Sequence, residues 1–207
     1  MINAILFFFL LLLPQGEFSS FSFCRDNSRG PYELQCFELD PSGKGIFKFR
    51  PRDADSVDIP VRLSDDVAED FVRLLADTDY LAEGEDYESG RNVANLGVKT
   101  LTLEAPSGRR QAVFNFSTIR EVSKLVSFFD LLINQELLVF DINVALQFDR
   151  LAIPRKLDQL EKNLRAKRVA DARRLIPILD KIAADTRLVN FARTTATWLK
   201  KQIEDNN

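Results

Sequence analysis

The apolar residues of this chain change their repeat along its length, and that change limits the fold classes open to it. Val57, Ile59, Val61 and Leu63 alternate strictly, which turns one face of a strand toward a core and the other toward water. From Ser64 the spacing lengthens to that of a helix, with Val67, Phe71, Leu74 and Leu75 on one face and Asp65 and Asp66 at the positive end of its dipole. A chain with segregated strand and helix periods is expected to be α+β.

The strand signals form two hairpins and one further strand. Tyr32, Leu34 and Cys36 alternate, and the pattern resumes one residue out of phase at Phe37 and Leu39, which predicts a bulge at that slip. The turn sequence DPSGKG then leads into a return strand at Ile46–Phe49. Pro60 confines the strand that contains it to a sheet edge. A second hairpin is expected from VKTLTLE, APSGRR and QAVFNF.

Thr118 to Glu121 fits a capping box ahead of Val122, Val126, Phe129 and Ile133, so a helix is expected over residues 118–134. Residues 138–149 fit both periods, and good helix formers at Ala145, Leu146 and Gln147 tilt the choice to helix. Beyond Pro154 the spacing is helical throughout. Asp171 is placed to cap the next helix and Pro177 to kink it. The segment IPILDKIAADTRLVNFARTTATWL resembles one HEAT-type helix hairpin; a single copy cannot build a stacked core, so it reads as local helix packing.

The run Ala4–Leu13 is as long as the apolar part of an export signal and too short to cross a bilayer. Pro14 and Gly16 end it, and Ser20 and Ser22 offer small residues to a peptidase. Cleavage is expected after Ser22, with Gly16 as the second candidate. The expected organisation is a signal peptide over 1–22, an α+β domain over 23–134 and a helical portion over 135–207, in an exported protein. Cys24 and Cys36 are the only cysteines. They could form a disulfide, as suits an oxidising compartment, or remain free thiols. Lipid attachment at Cys24 calls for small residues just ahead of it, where Phe21, Ser22 and Phe23 stand.

The chain has no histidine, which removes the most adaptable general base and the commonest nitrogen ligand for zinc. It carries no Gly-rich phosphate loop, no Ser/His or Cys/His pair and no metal-ligand cysteine spacing, so no catalytic residue, metal or cofactor is expected. Thirteen carboxylates face only Arg62 and Arg73 between Asp53 and Glu88, without the spacing of a calcium loop. Eight cations face three carboxylates between Arg155 and Arg174. Arg165, Lys167, Arg168, Arg173 and Arg174 are the expected basic interaction face, which could be solvated, meet anionic lipid or dock on the acidic region. No aromatic residue interleaves with it, so nucleic acid is not the expected partner. Asn115 begins a glycosylation sequon, NFS. The functional expectation is a non-enzymatic interaction or structural protein whose partner is another protein. The alternatives are a hydrolase with paired carboxylates and a peripheral membrane protein.

Overall fold

A computed structural model describes residues 18–27, 30–91, 93–94 and 97–205. Six strands form one antiparallel sheet: β1 (Ser20–Asp26), β2 (Tyr32–Leu39), β3 (Lys44–Pro51), β4 (Val57–Arg62), β5 (Val98–Ala105) and β6 (Gly108–Phe114), in the order β4-β3-β2-β1-β5-β6. Five α-helices accompany them: α1 (Asp65–Ala76), α2 (Arg120–Phe148), α3 (Ile153–Arg165), α4 (Ile176–Ala184) and α5 (Asn190–Asp205). The architecture is α+β, with the sheet in the N-terminal half and most helices in the C-terminal half. β4 is an edge, so the missing N–H of Pro60 costs no ladder bond.

Strand β1 bears on where the chain could be cut. FSSFSFC looked like the tail of an export signal, yet Ser20–Asp26 pairs with β2 on one side and β5 on the other. Phe18, Phe21 and Phe23 enter the main core. A cut after Ser22 would divide a central strand and remove two buried phenylalanines, whereas a cut after Gly16 would leave all of it; Gly16 and the apolar run lie outside the described residues.

Other expectations shift by a few residues. The irregularity in β2 falls between Tyr32 and Leu34, so Gln35, Phe37 and Leu39 already share the inner phase before the predicted slip. No capping box forms at Thr118. Helix α2 starts at Arg120, the Ile119 N–H donates to Ser117 Oγ, and the Ser123 hydroxyl donates to the Ser117 carbonyl. The dual-period segment is helical, and α2 runs unbroken through both the expected end at 134 and the expected boundary at 135. Pro177 lies in the first turn of α4, where its missing N–H has no helical partner to lose, and so it introduces no kink.

This long helix joins two apolar cores. Its N-terminal half packs with α1 on the inner face of the sheet, where Phe129 meets Phe23 at 5.0 Å between ring centroids, Phe21 at 5.4 Å and Phe71 at 5.8 Å. From Leu138 onward its buried residues belong to a second core shared with α3, α4 and α5. The opposite face of the sheet carries the half-buried Cys24 and Cys36.

Candidate functional site

Cys24 and Cys36 form a disulfide. They are direct cross-strand partners in the β1–β2 ladder, so the register itself brings the two sulfurs together. Joining residues 12 apart closes a short loop, worth about 3 kcal/mol on the chain-entropy model. Because both side chains lie outside the core, a Cys24→Ala/Cys36→Ala variant should keep its fold and lose about that much stability in urea titration. A loss below about 1 kcal/mol would mean that the link constrains the unfolded chain little.

The five residues of the expected basic face separate into two groups. Arg173 and Arg174 are both engaged by other elements of the fold, Arg173 at the surface and Arg174 in a half-buried position. Arg173 pairs with Asp66 of α1 at 3.0 Å, and Arg174 pairs with the buried Glu136 at 3.0 Å and donates to the Arg62 carbonyl at 2.6 Å. Asp171 does not cap its own helix. Its carboxylate accepts the Ser64 N–H at 2.7 Å and the Ser64 hydroxyl at 3.0 Å, and its backbone exchanges two 2.9 Å hydrogen bonds with the Gln135 amide. This polar band sits between the two cores. It fastens the segment before α4 to α2 and to the start of α1.

Arg165, Lys167 and Arg168 remain exposed. Arg165 and Lys167 line a recess of about 700 Å³ between α3 and α5, together with Leu164, Trp198 and Ile203. A second recess of about 420 Å³ continues along the same helix pair past Trp198 to Phe191 and Pro154. The two form a groove with Trp198 at its centre. Arg165 pairs with Glu161 one turn back, while Lys167 and Arg168 make no ion pair among the described residues. Asp158 and Glu161 lie on one helix and line the second recess, and each pairs with a cation four residues on.

One charge cluster escaped the sequence reading. Arg25, Lys99 and Asp130 line a recess of about 380 Å³ with Phe114, Phe116 and three serines. Arg25 pairs with Asp130 at 2.7 Å and donates to Gln35 Oε1 at 2.8 Å; Lys99 Nζ donates to the carbonyls of Asn115 and Gly97 at 2.8 and 3.1 Å. Burial pushes the Asp130 carboxyl up, against the pull of Arg25 and Lys99, and pushes the Lys99 ammonium down. These groups satisfy one another and close one end of the inner sheet face. The available signal was phase: Arg25 follows Phe21 and Phe23, and Lys99 precedes Leu101 and Leu103, at inward-pointing positions.

No group of three or more potential metal ligands occurs among the described residues, the acidic stretch included. The Asn115 side chain donates to the Ala94 carbonyl at 3.1 Å. No described helix is long and apolar enough to cross a membrane. No protein-family model matches the chain, and no curated protein matches it either.

Proposed function

We propose that this chain is an exported, non-enzymatic interaction protein whose α3–α5 groove takes a segment of another protein carrying apolar and acidic side chains. The carrying observation is Trp198, a large apolar side chain left 41% exposed where the two recesses meet, with Arg165 lining both recesses and Lys167 the larger one. Tryptophan and arginine are the side chains that most often dominate interface energies, because a large flat ring fills a recess and a guanidinium holds a carboxylate with two hydrogen bonds. Two features support export. The disulfide suits an oxidising compartment, and Ala4–Leu13 has the length of a signal's apolar region.

A photo-cross-linking amino acid placed at position 198 of the full chain in its native host tests this reading. One discrete protein adduct is expected, mapping to an acidic and apolar segment and lost when Arg165→Glu and Lys167→Glu are combined. Absence of an adduct, or an adduct indifferent to those charges, would contradict it.

A further inference from the structure

The most exposed apolar side chains of the helical half gather at one end, away from the sheet. Leu151 is 86% exposed, Phe148 81%, Phe191 68% and Val189 54%. Phe148 ends α2 and Leu151 lies within the 3-10 turn Arg150–Ala152 that follows it, and the other two sit where the α4–α5 connection enters α5. A recess of about 600 Å³ brings these corners together, lined by Leu146, Gln147 and Arg150 from one and by Lys181, Asp185 and Arg187 from the other.

Charge in this recess is unbalanced. Arg187 grips Asp185 through two 2.8 Å hydrogen bonds and, with a weaker pull from Arg150, holds that carboxyl down at about 2, so the four charged groups of the recess are one carboxylate against three cations. Lys181 donates to the neutral Asn143 side chain at 3.1 Å. Arg150 makes no side-chain hydrogen bond or ion pair among the described residues, and its Nε is buried without an acceptor. A guanidinium fork fits a tetrahedral oxyanion in two-point fashion. The one nearby carboxylate outside the lining is the exposed Asp149.

We infer that this end of the molecule docks on an anionic phospholipid surface, with Arg150 and Lys181 holding a headgroup phosphate while Phe148 and Leu151 enter the acyl boundary. Two features favour lipid over a protein partner. Phe148 and Leu151 protrude almost without neighbours, so they suit a deformable apolar medium better than a partner that must be shaped around them. Arg150 also lies between Phe148 and Leu151 in the chain and shares its recess with Lys181, which sets cationic side chains next to the apolar tip, as an interfacial phosphate above an acyl chain requires.

A local reporter tests this, because the apolar run near the start of the chain could partition into vesicles by itself. Trp198 is the only tryptophan, so Phe148→Trp in a Trp198→Phe background of the full chain reports from the tip alone. With phosphatidylcholine vesicles containing phosphatidylglycerol, emission from position 148 should shift to the blue and be quenched by brominated acyl chains. Pure phosphatidylcholine should give little shift. Adding Arg150→Gln should weaken binding read at that position by about fivefold, and Leu151→Ser should also reduce it. Unshifted emission at position 148, whether or not the chain sediments with vesicles, would overturn the inference. So would binding unaffected by Arg150→Gln. Titration with inorganic phosphate separates the two sources of the oxyanion: Arg150-dependent phosphate binding without vesicle binding would leave a soluble-anion site and remove the lipid.

Discussion

Phe129→Ala is expected to destabilise the protein by about 4 kcal/mol, close to the upper limit for a single core truncation. Five rings surround Phe129: Phe21, Phe23, Phe37, Phe71 and Phe128, at centroid distances of 5.0 to 5.9 Å. They come from β1, β2, α1 and α2 itself, so the cavity left by truncation would open where the sheet and two helices converge. Rings fixed by several neighbours cannot collapse into such a space without leaving their own contacts. The transfer and cavity costs therefore add. Chemical denaturation checks the size of the effect. A loss below about 2 kcal/mol would show that the surrounding rings can repack.

Arg174→Ala is expected to cost about 3 to 5 kcal/mol near neutral pH, because it leaves the Glu136 carboxylate, 3% exposed, without its counter-ion. The sign of the pH dependence follows from that carboxyl. Burial raises its folded value above the ordinary glutamate value of 4.5, against the opposing pull of Arg174, so the folded state holds the proton more tightly than the unfolded one. Stability from this group is therefore lost as pH rises from the unfolded value through the raised folded value. Removing Arg174 lifts the folded value further and extends that window upward. The gap between wild type and Arg174→Ala in urea titrations should be smaller at about pH 5 than at about pH 8. An equal or wider gap at the lower pH would mean that Glu136 is not the group left stranded.

Legibility in the sequence tracked the nature of the signal. Local hydrophobic period located β3, β4, β5, β6 and the helices from α1 onward, because burial on one face of an element writes its repeat directly into the residues. β1 carries the same alternation at Phe21, Ser22, Phe23 and Cys24, but it follows an apolar run that draws the eye to export, and a strand flanked by two partners needs no turn signal before it. Capping was misread for a related reason. Asp171 is a typical cap residue, yet its carboxylate bonds to Ser64 across 107 positions, and no local pattern encodes such a pair. The basic stretch likewise showed its charge in sequence and not its allocation. Arg173 and Arg174 pair with Asp66 and Glu136 on other helices, and Arg165, Lys167 and Arg168 make no such pair among the described residues. The Arg150 recess gave less still, since it joins two corners brought together only by tertiary packing.

The proposal of an exported interaction protein depends on processing upstream of β1 and on an oxidising compartment, and intact-mass analysis of the protein from its native host tests both together. The account predicts a chain that keeps Phe18 and everything after it, lacks the apolar run, and is two mass units lighter than its fully reduced form through the Cys24–Cys36 bond. A chain that still begins at Met1 with two free thiols would contradict it.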